Sequence, residues 1–309
     1  MYDSLKKIIK KSGLLINSYD YIREIYYKNI LSDEKFVSKK FKKKIGRNVD
    51  IENPVDFRDK LQWLKLNWYN PKAVQCADKY EVRMIVSELI GNKYLNDVLN
   101  VYESVNEIEI DRLPKSFVFK ATHSSGHNFV CYDKDLVNWK QKFKDMQRWL
   151  NNNYFWTTRE WVYKDIKPRI ICERFLSENG KSQGLTDYKF YCFNGVPKYC
   201  QIIRDREVGG TIDFYDIYWN HMSFNGLQNL PRSENKITKP EKYEEMLHIA
   251  KILSEPFPFV RVDLYYVNNQ IYFGELTFFP RSGYGSFNPP IWNEKIGNLL
   301  DLSEVMSNQ

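Results

Sequence analysis

"RVDLYYVNNQIYFGELTFFP" occupies Arg261 to Pro280. Two strongly apolar stretches flank a short polar turn, the pattern of a β-hairpin. Asp263 and Glu275 stand inside those stretches, where a charge is costly unless something compensates it. The turn decides which residues meet. A two-residue loop at Asn268-Asn269 would pair Val262 with Glu275 and Asp263 with Gly274, mixing charge and core on each face. A three-residue loop, Asn268 to Gln270, sets Asp263 opposite Glu275, Arg261 opposite Thr277, Val262 opposite Leu276 and Val260 opposite Phe278. One face is then largely apolar and the other gathers the polar groups. A one-residue slip turns every side chain to the other face, so the pattern selects the second register.

That register places two carboxylates directly opposite each other, which destabilises a sheet. Neutralisation by Arg261 and other basic residues is the simpler account. A bound cation is the other, and it is preferred because paired carboxylates facing a polar cleft mark functional sites. Hard oxygen ligands suit Mg²⁺, which usually takes one or two carboxylates together with substrate phosphates.

The rest of the chain bounds this reading. Its 309 residues are 43% hydrophobic and 16% aromatic, enough for a large core or for lobes around a cleft. No apolar run approaches the roughly 18 residues of a membrane span. "LLI" (Leu14 to Ile16) is too short an apolar centre for a signal peptide. The five cysteines (76, 131, 172, 192, 200) form no CxxC pair and no zinc spacing, and read as reduced thiols in a cytoplasmic protein. The net charge of +7 lies in residues 1–47, with 13 Lys/Arg against 5 Asp/Glu; the remainder holds 33 against 34. This basic arm reads first as a solvated helical face. Its sharper reading is peripheral contact with anionic lipid at the inner face of the membrane, or with an acidic glycan. No nucleic-acid reader motif accompanies the lysines.

"NPVDFRDKLQWLKLNW" predicts a helix capped by Asn53 with Pro54 at its first position. "DKYEVRMIVSELIG" predicts another between Asp78 and Gly91. Residues 48–113 therefore read as a mainly helical lobe, with a short strand within Tyr94 to Tyr102. Residues 114–309 read as strands and hairpins interleaved with helices: "SFVFKAT", "FVCY", a helix from Asp135 to Leu150, "PRIICERFL", and a hairpin turning at Asn194-Gly195. A helix starting at Pro240 and a short one near Trp292 to Leu300 complete the set. This mixture predicts an α+β fold rather than a parallel doubly wound sheet.

If a metal carries phosphates, something must hold the nucleotide. GxxxxGK[ST] and GxGxxG are both missing. "VFKATHSSGHNFV" instead ends a strand with Lys120 and continues into a small polar loop, Ser124-Ser125-Gly126. Backbone N–H groups there can cover phosphates while Lys120 supplies fixed charge. His123 and His127 in the loop can touch phosphate, but a lone loop histidine is more often structural. "ICERFL" puts Glu173, Phe175 and Leu176 at a strand end, where a purine fits. "DYKFYCF" puts Asp187 and Lys189 on one strand face. "IIRDRE" ends a strand with Arg204 and Arg206.

In this order, "ADKYEVR", "KATHSSG", "ICERFL", "DYKFYCFNG" and "FVRVDLY…YFGELTF" resemble the TupA-like ATP-grasp family of polysaccharide and teichuronopeptide biosynthesis, over about residues 70 to 300. The resemblance implies an α+β ATP-grasp fold, with antiparallel sheets and helices gripping ATP. It implies phosphate contacts from Lys120 and Lys189, an adenine hinge at Glu173 to Leu176, and Mg²⁺ on Asp263 and Glu275. Glu-x-Asn is frequent at the last position, and here Thr277 stands in place of the Asn, a poorer ligand.

The expected activity is an ATP-dependent carboxylate–amine ligase working through an acyl phosphate. Arg204 and Arg281 are the candidates for clamping that phosphate, and "PRSGYG" (Pro280 to Gly285) is a candidate acceptor loop. A uronic acid of a surface polysaccharide and an amino acid are the substrates the family suggests. A glycosyltransferase using Asp133 and Asp135 as a DxD-like pair is the first alternative, although Asp135 also reads as a helix cap. A basic glycan- or membrane-binding module is the second, and an ATP-grasp kinase the third.

Overall fold

The computed structural model describes residues 31–177, 184–204 and 209–307. Most of the basic arm, residues 1–30, lies outside the described residues, as does Arg206. The arm's remainder is helix α1 (Asp33–Ile45), capped by the Ser32 hydroxyl and closed by Gly46 at φ 86°. Phe36, Val37 and Phe41 are buried on its inner face.

Helix α2 (Phe57–Asn67) buries Phe57, Leu61, Trp63 and Leu64. It starts later than expected from the sequence. Asn53 donates its N–H to the Asp50 carboxylate at 2.9 Å, forming a turn. Asp56 is the actual cap, accepting from the Arg58 N–H at 2.8 Å. Helix α3 (Pro71–Ala77), not foreseen, has Asn70 as cap and Pro71 at its first position. Asp78 accepts from the N–H groups of Tyr80 and Glu81, and regular helix α4 (Val82–Leu89) begins four residues later.

Strands β1 (Val98–Tyr102), β2 (Phe117–Ala121), β3 (Asn128–Cys131) and β4 (Ile170–Arg174) form an antiparallel sheet in the order β1-β4-β2-β3. Between β3 and β4 lies helix α5 (Trp139–Asn151), whose Met146 and Leu150 pack with Phe117 and Phe119 in a small core. The sequence placed the start of α5 at Asp135. The structure has a separate 3-10 turn there, Lys134–Leu136, capped by Asp133; Asn138 caps α5 itself. The cap side chain that is geometrically available ends each segment, which splits one expected helix into two.

A short helix α6 (Phe155–Thr158) precedes β4 in the chain. The second sheet contains β5 (Asp187–Phe193), β6 (Val196–Arg204), β7 (Thr211–Asp216), β9 (Phe259–Val267) and β10 (Gln270–Thr277), in the order β10-β9-β5-β6-β7. Two-residue strands β8 (Asn225–Gly226) and β11 (Phe287–Asn288) pair with each other. Helix α7 (Tyr243–Ser254) covers one face of the five-stranded sheet, burying Tyr243, Met246, Ile249 and Leu253. It begins three residues after Pro240, which accepts the Tyr243 N–H in the preceding turn. Helices α8 (Ile291–Gly297) and α9 (Ser303–Ser307) finish the described chain. All five cysteines are buried and free.

The β9–β10 hairpin resolves the register question in an unforeseen way. Asn268 and Asn269 both have positive φ, 49° and 62°, as a two-residue type I′ turn requires. Near the turn the pairing follows that loop: Val267 with Gln270, Leu264 with Phe273. Gly274 is then an extra residue on β10, a β-bulge, and beyond it Asp263 faces Glu275, Val262 faces Leu276 and Arg261 faces Thr277. The expected facing pairs are present at these positions. The expected three-residue loop is not; the bulge supplies the missing shift.

Candidate active site

A cleft of about 1080 Å³ opens between the β2–β3 loop and the polar face of the five-stranded sheet. Lys120, Ser125 and Gly126 line one side; Asp187, Lys189, Asp263, Glu275 and Thr277 line the other. Arg281 and the segment around it close one end, and Lys40 and Lys44 of α1 lie at the rim.

The hairpin carboxylates are built into a tight ionic network. Asp263 is 1% exposed. Arg261 Nε donates to its Oδ1 at 2.6 Å, and a terminal guanidinium nitrogen of Arg261 donates to Oδ2 at 2.7 Å. Lys189 also donates to Asp263 Oδ2, and lies 3.0 Å from Asp187 Oδ1. The same Arg261 nitrogen reaches Glu275 Oε1 at 3.3 Å and Thr277 Oγ1 at 3.0 Å. The Thr277 hydroxyl in turn donates to Glu275 Oε1 at 2.9 Å. Burial acts to raise the Glu275 carboxyl, but Lys79, Arg261, Lys189 and the Thr277 hydrogen bond outweigh it and hold it down at about 2. Glu275 is therefore ionised at neutral pH.

Arg261 is a residue whose part the sequence reading undervalued. Its alternation with Asp263 on one strand face was the available signal. Lys79 was missed as well. It lines the cleft, donates to the Ser124 carbonyl at 2.5 Å, and stands near Glu275 and Lys120. Burial lowers its ammonium, with Glu275 opposing.

Across the cleft, Lys120 Nζ lies 2.7 Å from Glu173 Oε2, and Arg83 approaches Glu173 Oε1 at 3.9 Å. Glu173, Phe175 and Leu176 lie behind Lys120 rather than on the cleft wall itself, and Phe175 meets Tyr132 edge-on at 5.4 Å. Ser124 is fully buried and bonded to His127 Nδ1 at 2.8 Å. His123 Nε2 bonds to the Trp149 carbonyl at 2.8 Å, and His127 stacks on the Trp149 ring at 5.8 Å. These three residues pin the β2–β3 loop to α5, leaving Ser125 and Gly126 on the cleft. Arg204 stands at the far end of β6, donating to Ser233 Oγ at 2.8 Å, and does not line the cleft. Neither do Asp133, ion-paired with Lys115 at 3.0 Å, and the exposed Asp135.

Among the described residues no three His, Cys, Asp or Glu side chains gather into a metal-holding group. Mg²⁺ does not need three, since phosphates and water complete its shell. Two carboxylates and a hydroxyl facing one another on a cleft wall are an oxygen-only set, which suits Mg²⁺ better than a structural zinc.

This arrangement of carboxylate hairpin, lysine-bearing strands and covering loop can be set beside known proteins. The family model described as TupA-like ATPgrasp matches residues 59–301. The chain belongs to the TupA-like ATP-grasp family. No curated protein matches it by sequence. The fold of this ATP-grasp chain is similar to that of D-alanine–D-alanine ligase from Bacillus anthracis complexed with ATP. That match has 16% identity and a TM-score of 0.38, covering 66% of this chain and 53% of that one. It is also similar to D-alanine–D-alanine ligase from Helicobacter pylori, with 16% identity and a TM-score of 0.41, covering 74% and 61%. A third match is the ATP-grasp ligase PsnB complexed with a precursor variant, Mg and ADP, with 10% identity and a TM-score of 0.38, covering 72% and 58%. The ATP-grasp chain thus spans about half to three-fifths of the length of these proteins. Among its described residues, no helix is long and apolar enough to cross a membrane.

Proposed function

We propose that the protein is an ATP-dependent carboxylate–amine ligase that works through an acyl phosphate. It would join an amino acid or other amine to a carboxylate of a surface polysaccharide or its precursor. The observation that carries the reading is the Asp263–Glu275 pair, facing across β9 and β10 and opposite Lys120 over the cleft. In this reading Asp263 and Glu275 hold Mg²⁺, with the Thr277 hydroxyl beside them. The metal supplies charge neutralisation at the transferring phosphoryl group. Lys120, Lys189 and Lys79 hold the ATP phosphates under the Ser125-Gly126 backbone, and Asp187 orients Lys189. The strand end at Glu173, with Phe175 and Leu176, holds the adenine, and Glu173 orients Lys120.

A substrate carboxylate oxygen attacks the γ-phosphorus and ADP leaves. An amine then attacks the acyl carbon, the C–N bond forms and phosphate departs. The chain contributes position and fixed charge rather than a nucleophile. Arg261, held between the two carboxylates, puts a guanidinium on the same cleft wall as the residues that would hold the metal. Arg204 would take part only by moving from Ser233, and Arg281 belongs to the substrate end. The outward lysines of α1 support contact with an acidic glycan or an anionic membrane surface.

Thermal melting with ATP–Mg²⁺ and with uridine-diphosphate sugars tests the reading. A native-state ligand at a hundred times its Kd stabilises by about 2.7 kcal/mol. A shift with ATP–Mg²⁺ is expected; a shift with UDP-sugars and none with ATP would overturn the ligase assignment.

A further inference from the structure

Helix α2 ends at Asn67 and α3 begins at Pro71. The link between them is extended, with Trp68 at φ −116°, ψ 136° and Asn70 at φ −147°, ψ 115°. Extended residues send successive side chains to opposite sides. Trp68 turns inward, onto Trp161 at 5.1 Å and Phe257 at 6.4 Å. Tyr69 turns outward and is 67% exposed. Its ring leans on Trp161, with centroids 5.1 Å apart, so it is held in place while staying open to solvent.

Tyr69 lines a pocket of about 390 Å³, within the size range of ligand sites. None of the residues lining it lines the catalytic cleft. Trp68 and Phe257 form its buried part, and Glu255 and Pro256, in the turn after α7, are exposed beside them. The walls are fixed before any ligand arrives. The Asn194 N–H donates to the Pro258 carbonyl at 2.8 Å, and the Asn194 side chain exchanges hydrogen bonds of 2.9 and 3.0 Å with the backbone of Asp301. Pro256 and Pro258 lock their own φ. Asn70 Oδ1 accepts from the Lys72 N–H at 2.9 Å, so its Nδ2 hydrogens are the part left to donate, and among the described residues they have no acceptor. The Glu255 carboxylate likewise has no ion-pair or hydrogen-bond partner among the described residues. No Lys, Arg or His of the described residues lines the pocket.

This lining selects a ligand class. An anion finds no cation there and meets the charge of Glu255. A hydrocarbon leaves the amide and the carboxylate without partners. A pyranose ring answers both demands. Its weakly positive C–H bonds lie against the negative face of an aromatic ring. Its hydroxyls donate to a carboxylate and accept from an amide N–H. We propose that the pocket holds a neutral sugar unit, stacked on Tyr69 and hydrogen-bonded to Asn70 and Glu255. It is a binding site apart from the chemistry, a second grip on a glycan whose acid group enters the cleft. That purpose rests on the polysaccharide substrate of the proposed function; the chemistry of the pocket does not.

Saturation-transfer NMR on the full chain tests this. The probes are glucose, galactose, mannose, N-acetylglucosamine, cellobiose and maltose. At least one should bind with a Kd on the order of 1 mM. Tyr69→Ala should weaken that binding by about tenfold or more, as loss of an aromatic anchor does, while Tyr69→Phe keeps the ring and should retain it. Glu255→Ala should weaken it by about fivefold, the weight of one hydrogen bond. Asn70→Ser keeps the cap of α3 and removes the amide, and should do the same. Tyr69 and Glu255 are exposed, so their variants report on a folded chain, and the melting shift with ATP–Mg²⁺ should stay in all of them. No binding by any probe overturns the inference, as does binding that Tyr69→Ala leaves intact. So does a Tyr69-dependent response to glucuronate stronger than to every neutral probe, or one to adenosine or tetraproline with none to sugars. Failure of sugar binding beside an intact ATP–Mg²⁺ shift removes this inference alone. Sugar binding without that shift removes the ligase reading and leaves the pocket assigned.

Discussion

A Cβ placed on Gly274 would lie 2.9 Å from the carbonyl oxygen of Asp263 and 2.9 Å from Tyr265 Cε2. Gly274 is the bulge residue that moves β10 by one position against β9, so the glycine nearest Asp263 is also what brings Glu275 opposite it. Gly274→Val should therefore damage the site before it damages the fold. Overpacking of this kind typically costs about 1–3 kcal/mol. The expected outcome is a folded protein with a lowered Tm and no ATP–Mg²⁺ shift. A variant with a normal nucleotide shift would show that the carboxylate pairing is not needed for binding.

The same hairpin shows what the sequence could reveal. Alternation of charge and core specified which side chains must share a face, because only one pairing keeps Val262 and Leu276 buried. It did not specify how the chain gets there. A turn and a bulge can each supply one residue of shift, and the two Asn residues at positive φ favour the short turn. The hairpin at Asn194-Gly195 was legible because those two residues are the ones that take positive φ most readily, and Phe193 pairs with Val196 directly across them; the bulge at Tyr191 and Cys192, two residues into the strand, was not. Helix starts at Asn53 and Asp135 were misplaced because several capping side chains compete locally, and tertiary packing chooses among them. Lys79 and Glu160 were not singled out because their meaning is positional. One is near Lys120 and the other near Ser282 only after folding. Arg204 was read as clamping by its strand-end place, and its bond to Ser233 could not be read from local sequence.

Substitution of the hairpin carboxylates should separate charge loss from metal loss. Asp263 is buried between Arg261 and Lys189, so Asp263→Asn leaves two cations short of a partner and should destabilise by about 3–5 kcal/mol. Glu275 is more open, with its side chain 36% exposed, so Glu275→Gln should leave the fold nearly unchanged. If Glu275 holds Mg²⁺, that variant should still lose turnover by roughly a thousandfold, since metal clamping is worth several kcal/mol. Combining the two should be little worse for turnover than either alone, because they act as one unit. ADP release measures this; wild-type turnover in folded Glu275→Gln would make the pair structural.

Helix α1 should be part of the folded body and not a dispensable tail. Phe41 and Val37 are fully buried, and Arg159, 1% exposed, pairs with Asp33 at 2.7 Å. Phe41→Ala should cost about 3–5 kcal/mol. Deletion of residues 1–30 should leave Tm and the nucleotide shift in place, whereas deletion of 1–47 should lower Tm sharply. Equal melting of the two truncated chains would contradict the packing described for α1.

Lys65 gives a prediction in pH. It is 6% exposed, and burial lowers its ammonium from the ordinary 10.5 to about 7, with Glu160 opposing and Lys40 assisting. The unfolded chain then holds a proton on Lys65 between pH 7 and 10.5 that the folded chain has released. Stability rises with pH wherever the unfolded state binds more protons. Lys65 should therefore penalise folding fully below about pH 7, and the penalty should fade as pH rises toward 10.5. Buried tyrosines with raised pKa, such as Tyr191 and Tyr284, add an opposite slope above their ordinary value of 10, so the informative window is pH 7 to 10. Lys65→Met keeps the length of the side chain and its contact with the Phe279 and Tyr284 rings while removing the charge. The variant loses two hydrogen bonds to carbonyls, a loss of about 1 kcal/mol each that does not depend on pH. Denaturant unfolding at a series of pH values should show the difference in stability, wild type minus Lys65→Met, increasing steadily across that window. A constant difference would mean that Lys65 keeps its proton in the folded protein and holds the Ser282 loop as a full cation.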